Sequence, residues 1–268
     1  MDNEKNKFIK GVYVNREYSW LAFNKRVLDQ ATDGTNPLLE RCKFLSIFHS
    51  NFDEFFMVRV GSLLNDAKAH PDATENKTDL TAREQTDGIL RLAKACSREA
   101  DAVYCKLKRE LAKNGLRIRT GAELSQKQYA KCKRHFETQV LPLLSPMVLD
   151  AKHPMIRFES MNCYMLFELT KADRPMYGVM AISPKLPRVY RIDGGKKVNV
   201  ITTEELIRTF GATAFDGYKI QSQAMLRVTR NADFDANIDD ADIERDFDFS
   251  KFLKRKVELR GSQDAVRL

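Results

Sequence analysis

The sequence has few of the short motifs that mark catalytic or metal-binding sites. Five cysteines are present without a C-x-x-C pair, which argues against a disulfide framework and against a thiolate zinc site. The four histidines show neither H-x-x-x-H nor H-E-x-x-H spacing, and no glycine-rich phosphate loop occurs. No serine or cysteine has a neighbouring base that sequence can assign to it. Sequence motifs therefore support neither metal binding nor nucleophilic catalysis.

Long apolar runs are also missing. No run approaches the roughly 20 residues that span a bilayer, and the N-terminus lacks the basic-then-apolar order of a secretory signal. We therefore expect a cytoplasmic protein without a transmembrane segment. The 268 residues, 43% hydrophobic and 31% charged, predict two globular domains. From the abrupt end at "DAVRL" we expect a fragment of a longer protein.

The net charge of +8 is unevenly distributed. Ten Lys or Arg fall between Lys106 and Arg134, against only Glu110 and Glu123. This basic stretch (residues 106–134) suits a polyanion, although the solvated faces of two helices would look the same. By contrast, residues 233–249 hold eight acids and a single Arg.

Helical periodicity dominates the first 115 residues. Ser19 is the predicted N-cap of a first helix, with an apolar stripe of Trp20, Phe23, Val27 and Ala31. A second helix is predicted from Pro37 to about Phe48. A third is predicted from Asn51 to about Ala67, capped by Ser50 or Asn51, with Asp53 and Glu54 complementing the dipole in its first turn.

A long fourth helix completes this predicted bundle. Thr81-x-x-Glu84 is a capping box, and Asn114-Gly115 is a stop signal. Between them one stripe is apolar: Ile89, Ala93, Cys96, Ala100, Val103, Leu107 and Leu111. Residues 1–115 are therefore predicted to form an N-terminal all-α helical domain.

The remaining residues, 116–268, predict an α+β head domain. Ser125 to Val140 has a helical pattern, and short β-branched and aromatic runs begin after Met147. "GGKK" at residues 194–197 reads as a hairpin turn. Short helices are predicted near Thr203–Phe210 and Asp240–Leu259. The predicted fold class is thus α+β, with a helical bundle followed by the head domain.

Phe44 and Asn51 are a candidate binding pair. They lie seven residues apart, two helical turns, so a tight turn between the helices would place an aromatic face and an amide on one surface. An aromatic ring that stacks and an amide that both donates and accepts can hold a purine. Core packing for Phe44 and a cap role for Asn51 explain the same residues. Adjacent acids diverge by about 100° on a helix, so Asp53 and Glu54 do not suit a shared metal or proton.

Four stretches carry a family resemblance: "NREYSWLAFNKRVLDQA", "NPLLERCKFLSIFHSNFDEFFMVRVGSL", "VLPLLSP" and "LRVTRNADFD". In this order and separation they resemble the N-terminal half of the type 1 polyphosphate kinases. The match is dense from Tyr13 to Leu64 and patchier through residues 139–240. Two departures are Phe52, in place of the usual Leu before D-E-F-F, and "KHPMIRF" in place of an H-P-F-P-like turn.

The resemblance implies a reversible transfer of the terminal phosphate of ATP to polyphosphate, through a phosphorylated histidine and with Mg²⁺. It places those groups in two catalytic domains beyond this chain, so none is carried onto it. It implies that Asn51 contributes to the ATP adenine pocket and that Phe44 packs against the same base. It further implies a homo-oligomer joined through the head domain. We also expect no nucleic-acid partner, and a cytoplasmic location compatible with peripheral membrane association.

Two hypotheses follow. In the first, the chain is the N-terminal portion of a polyphosphate kinase and is inactive alone, because no histidine, magnesium ligand set or arginine cluster can be assigned to phosphoryl transfer. In the second, it is a non-catalytic module that binds polyanions through the basic stretch.

Overall fold

The computed structural model describes residues 12–149, 156–193, 197–232 and 263–268. Contacts divide these residues into two units. The helical unit comprises the described residues up to Leu107 and those between Thr229 and Arg267, and the sheet unit comprises those of Lys108–Val228 together with Leu268. The predicted division at residue 115 stays a prediction. The fold class is confirmed, with a helical N-terminal region followed by a mixed sheet region.

Four helices build the helical unit around one apolar core. They are α1 (Arg16–Thr32), α2 (Leu38–Phe55), α3 (Gly61–Ala69) and α4 (Ala82–Lys113), and a π-helical turn at Phe56–Val60 joins α2 to α3. Phe48, Phe52 and Phe55 of α2 are almost fully buried in this core. Within the described ranges, no helix combines the length and apolarity that a bilayer crossing needs.

The predicted start of the first helix was wrong by four residues. Asn15, not Ser19, is the N-cap, and its side chain accepts hydrogen bonds from the backbone N–H groups of Glu17 and Tyr18. The buried stripe is accordingly rotated by one position, to Leu21, Asn24, Leu28 and Ala31. As a result Phe23 is 47% exposed instead of lying in the core.

The predicted helix break before Asn51 was also wrong. α2 runs through Ser50 and Asn51 without interruption, so Asn51 is no cap and Asp53 lies in the last turn of α2. No Pro or Gly interrupts this stretch, and the Asn51 side chain finds its hydrogen-bond partner on another helix instead of on its own backbone. The prediction that Asp53 and Glu54 complement the dipole in the first turn of a helix was therefore wrong.

The predicted fourth helix is confirmed. Thr81 and Glu84 form the reciprocal capping box, with the Thr81 N–H 2.8 Å from Glu84 Oε2 and the Glu84 N–H 3.2 Å from Thr81 Oγ1. All seven residues of the predicted stripe are buried. The helix ends before Gly115, whose φ of 91° favours glycine.

The sheet unit contains two sheets and two helices. The predicted strand runs and the helix at Thr203–Phe210 are confirmed, and the helix predicted from Ser125 begins at Gln126, with Ser125 as its N-cap. The elements are β1 (Leu116–Ile118), α5 (Gln126–His135), β2 (Pro146–Leu149), β3 (Cys163–Lys171), β4 (Arg174–Ile182), β5 (Val189–Asp193), β6 (Val198–Thr202), α6 (Thr203–Phe210) and β7 (Lys219–Arg227). A parallel β1–β6 pair and an antiparallel β5–β6 pair form one sheet, and the other has the order β2-β4-β3-β7. The core includes Phe136, Met165, Phe167 and Phe210.

A strand pair distant in sequence completes the helical unit. β8 (Thr229–Arg230) pairs antiparallel with β9 (Ala265–Arg267). The Ala232 N–H donates to the Met57 carbonyl in the π-helical turn at 2.9 Å, and Asn231 Nδ2 donates to the Gly61 carbonyl at 3.3 Å. Residues 231 and 232 thereby seat on the turn that joins α2 to α3.

Three predictions fall outside the described residues. They are the helix near Asp240–Leu259, the acidic segment 233–249 and most of the turn at residues 194–197.

Candidate functional site

A cleft of about 320 Å³ opens on the helical unit between α1 and the segment that α2 and the π-helical turn form together. This segment, residues 38–60, is called the α2–π segment. The polar groups of the cleft are an amide, a carboxylate and a guanidinium, and the rest of its wall is apolar or aromatic. The lining residues are Trp20, Phe23, Asn51, Glu54, Phe55, Val58 and Arg59.

Helical spacing explains why these residues meet. Asn51, Glu54, Phe55, Val58 and Arg59 stand at positions i, i+3, i+4, i+7 and i+8, which share one face of a helix. The π-helical turn begins after Phe55 and carries Val58 and Arg59. Such turns recur at functional sites, because they shift the residues that follow them around the helix axis.

Aromatic rings form the apolar part of the cleft. Trp20 of α1 stacks on Phe55 of α2, with ring centroids 4.2 Å apart and planes 11° from parallel. Phe55 is 1% exposed, so it fixes the position of the indole. Phe23, one helical turn after Trp20, stands at the rim beneath the guanidinium of Arg26, 5.7 Å from the ring centroid. The cleft therefore offers a flat, apolar surface suited to a planar ligand.

Asn51 supplies the central polar group. Its Nδ2 donates to Asn24 Oδ1 at 3.0 Å, and Asn24 Nδ2 donates to the Phe48 carbonyl at 3.1 Å. This chain of two amides links α1 to α2. In the described part of the chain, Asn51 Oδ1 has no hydrogen-bond donor, so it is an acceptor that a ligand can use.

A partly buried ion pair holds the guanidinium at the other end of the cleft. Arg59 Nη2 lies 2.6 Å from Glu17 Oε1, and Arg59 Nε lies 3.3 Å from Glu17 Oε2. Glu17 is 4% exposed, whereas the Arg59 side chain is 37% exposed. The bidentate pair orients Arg59 and leaves its outer edge at the cleft.

The two adjacent acids face different surroundings. Glu54 lines the cleft and is exposed. Asp53 is buried, and its Oδ1 lies 3.3 Å from Nη1 of Arg267, whose guanidinium also covers the rings of Phe52 and Phe56.

Phe44, the second predicted binding residue, lies on α2 two turns before Asn51. It is half-buried against the core of the helical unit. Among the described residues it is not part of the cleft lining. Its contact with a base stays a prediction.

Sequence reasoning missed three features of the cleft. Trp20 and Phe23 were assigned to the core because the true stripe, one position away, contains the polar residues Glu17 and Asn24. The spacing of Glu17, Leu21, Asn24, Leu28 and Ala31, alternately four and three, was the available signal. Nothing local in the sequence linked Arg59 to Glu17.

The basic stretch lies on α4, β1, α5 and the segments between them. Arg119 donates to Asn199 Oδ1 at 2.9 Å, Lys131 to the Ile192 carbonyl, and Lys133 pairs loosely with Glu137 at 3.8 Å. Over the ranges that the structure describes, five exposed cations have no acidic partner: Lys106, Arg109, Lys113, Lys127 and Arg134. In those same ranges no three His, Cys, Asp or Glu side chains converge on a metal position.

Family models match nearly the whole chain. Residues 13–119 match the model described as Polyphosphate kinase N-terminal domain, and residues 127–268 match the model described as Polyphosphate kinase middle domain.

Individual relatives agree with this match. A polyphosphate kinase of Staphylococcus haemolyticus (strain JCSC1435) is 37% identical over 256 residues, which are 96% of this chain and 35% of that protein. A polyphosphate kinase of Halalkalibacterium halodurans is 38% identical over 262 residues, 96% of this chain and 36% of that protein. The chain thus spans about a third of the length of the curated relatives it matches.

The fold is similar to that of a solved relative. The crystal structure of polyphosphate kinase from Porphyromonas gingivalis superposes with a TM-score of 0.72 at 27% sequence identity. The similarity covers 83% of this chain and 34% of that chain.

Proposed function

Because this chain belongs to the polyphosphate kinase family, we propose that it forms part of an enzyme that transfers the terminal phosphate of ATP reversibly to polyphosphate. Its own contribution is part of the adenine pocket, formed by the cleft between α1 and the α2–π segment. The observation that carries this proposal is the free acceptor of Asn51 beside the stacked Trp20–Phe55 pair.

The dimensions of the cleft support a role in binding the base. Ligand pockets usually measure about 300–1,000 Å³, so a volume of about 320 Å³ suits a base more than an entire nucleoside triphosphate. The phosphates would extend beyond the cleft, toward groups that the rest of the enzyme supplies. Arg59 stands at one end of the cleft, where its outer edge can meet the ribose or the first phosphate.

The 268 residues alone are expected to transfer no phosphate. Phosphoryl transfer needs metal ions or several cations around the phosphates and a positioned nucleophile. In the described parts of the chain no metal-ligand cluster is present, and the cation of the cleft is engaged by Glu17. Mg²⁺ would therefore be held elsewhere in the intact enzyme.

ATP binding to this chain tests the proposal. We expect NMR titration or calorimetry to detect ATP binding that weakens at least about tenfold in Asn51→Ala, since the base loses a hydrogen-bonded edge. Ser50→Ala is the matched control, because Ser50 is the exposed neighbour on the same helix. Equal affinity in wild type and Asn51→Ala would refute the assignment of the cleft.

A mixture of this chain with the remaining two thirds of the S. haemolyticus relative distinguishes a pocket that this chain forms alone from a pocket that the two parts share. Binding that is stronger in the mixture and sensitive to Asn51 would mean a pocket shared between the two parts. Phe44→Ala belongs in the same series. A loss of ATP affinity without loss of thermal stability would support its contact with the base.

Dimer contacts are the second proposed contribution. On β2 and β4, Leu149 pairs with Tyr177, and Met147 lies on the same face of the sheet. Tyr177 is 60% exposed and Met147 39% exposed, so this face presents apolar surface to solvent. We expect light scattering to find a dimer that Tyr177→Lys converts to a monomer. A wild-type monomer at high concentration would contradict this.

Polyanion binding without catalysis is the alternative function. The five unpaired cations of the basic stretch favour it. Replacing Lys127 and Arg134 by Glu should then weaken binding of polyphosphate and reduce its dependence on salt concentration.

A further inference from the structure

Asn24 is a polar residue in an otherwise apolar position. It is 0% exposed and stands in the buried stripe of α1 between Leu21 and Leu28. A buried amide is tolerated only when its groups are hydrogen-bonded. Here each end of the amide has one partner, the Phe48 carbonyl for Nδ2 and the amide of Asn51 for Oδ1.

The hydrogen bond from Asn24 to the Phe48 carbonyl fixes the donor-to-acceptor direction of both hydrogen bonds in this series. A backbone carbonyl can only accept, so the Asn24 group facing Phe48 must be its NH₂. Asn24 Oδ1 must then face Asn51, and the NH₂ group of Asn51 must donate to it. The Asn51 amide is left in one orientation, with Oδ1 and the second Nδ2 hydrogen available at the cleft.

That orientation matches one kind of purine edge. An amide with fixed Oδ1 and N–H accepts from the 6-amino group of adenine and donates to an adjacent ring nitrogen. A 6-oxo purine presents an oxygen where adenine presents the amino group, so two acceptors would face each other. Rotation of the amide by 180° would reverse this preference.

We propose that Asn24 is a positioning residue that holds the Asn51 amide in the orientation selecting a 6-aminopurine over a 6-oxopurine. This inference rests on the proposed role of the cleft in binding ATP. It adds the source of base selectivity, which is Asn24. This residue contacts Asn51 from behind the cleft wall and touches no ligand.

The test compares ATP with ITP, which differ in the purine ring and share the same triphosphate. Any binding of the phosphates to the basic stretch therefore cancels in the ratio of the two affinities. The full 268-residue chain is labelled with ¹⁵N, and dissociation constants are taken from NMR shift titrations. The variants are Asn24→Asp and Asn24→Leu, with Thr86→Val as a control for lost stability at another buried polar residue of the helical unit.

The two substitutions at residue 24 separate positioning from structural support. Asp keeps an oxygen acceptor for the Asn51 amide in either protonation state, whereas Leu has the same branching and the same number of side-chain heavy atoms but no acceptor. Both are expected to lower thermal stability. Wild type, Asn24→Asp and Thr86→Val should prefer ATP over ITP by about tenfold, and Asn24→Leu by about twofold or less.

The side-chain amide of Asn51 gives a readout without nucleotide. Its resonance is identified by its loss in Asn51→Ala. Hydrogen exchange of this amide should be slow in wild type and Asn24→Asp and fast in Asn24→Leu, because only Leu removes its acceptor.

The failures of the two proposals differ. ATP binding that depends on Asn51, together with an unchanged ATP-to-ITP ratio in Asn24→Leu, would overturn the positioning role alone. A wild-type chain that binds neither nucleotide, alone or in the mixture described above, would overturn the proposed function and the selectivity with it.

Discussion

Gly61 is the first residue of α3. Whether Gly61→Ala stabilises or destabilises the protein is predicted to depend on Asn231. The Gly61 backbone is helical, with φ −55° and ψ −51°, so alanine would fit the backbone and gain about 1 kcal/mol of helix propensity. However, an added Cβ would lie 2.0 Å from Asn231 Oδ1 and 2.5 Å from Asn231 Cγ. Asn231 would have to move.

Moving Asn231 costs more than the helix gains. Its side chain is buried, and Nδ2 donates to the Gly61 carbonyl and to Asn65 Oδ1, both at 3.3 Å. Loss of two such bonds costs about 1–3 kcal/mol, and overpacking adds about 1 kcal/mol or more. After the gain in propensity, Gly61→Ala should destabilise the protein by about 1–3 kcal/mol.

Urea denaturation of four proteins measures this: wild type, Gly61→Ala, Asn231→Ala and the double variant. In the Asn231→Ala background the obstacle is gone, so the same Gly61→Ala change should stabilise by about 1 kcal/mol. The reasoning fails if Gly61→Ala stabilises the wild type, or if its effect is the same in both backgrounds.

Three further predictions concern other parts of the chain. Thr81→Ala should lower the free energy of unfolding by about 1 kcal/mol, since it removes the capping box of α4, and unchanged urea stability would contradict this. Arg59→Met should destabilise by about 1–3 kcal/mol, less than for a fully buried pair because Arg59 is partly exposed, and Glu17→Gln added to it should recover part of the loss. Burial holds the pKa of His135, stacked on Tyr190, below its ordinary value of 6.5. The unfolded chain therefore binds the His135 proton more tightly than the folded chain does. The contribution of neutral His135 to stability is full above about pH 6.5 and is lost as the pH falls through the lower pKa of the folded state. An NMR titration that gives His135 a pKa at or above 6.5 would refute this.

Local signals predicted the fold well where they were strong. The capping box and the seven-residue stripe of α4 identified a 32-residue helix, and Ser125 identified the start of α5. At α2 the same signals misled, because Ser50 and Asn51 favour caps in isolation and here lie inside a helix. No sequence pattern foretold that residues 229–232 would seat on the π-helical turn, because that contact joins segments about 170 residues apart.

The candidate site was predictable only in part. Asn51 was found from its residue type and spacing, although the structure places it mid-helix and not at a cap. Trp20 and Phe23 were indistinguishable from core residues, since their own stripe of α1 is apolar and the stripe that is buried contains Glu17 and Asn24. Asn24 and Glu17 look like breaks in a core pattern until their partners Asn51 and Arg59 are known.

The β8–β9 pair has a consequence for biosynthesis. Residues 108–228 of the sheet unit leave the ribosome before β9 does, whereas the helical unit includes β9 and cannot be completed until β9 has emerged. The π-helical turn and the cleft face beside it would therefore remain without their strand support until synthesis has passed Arg267. Nascent chains stalled before and after the emergence of this residue should differ in protease resistance around Met57 while the sheet unit is equally protected in both.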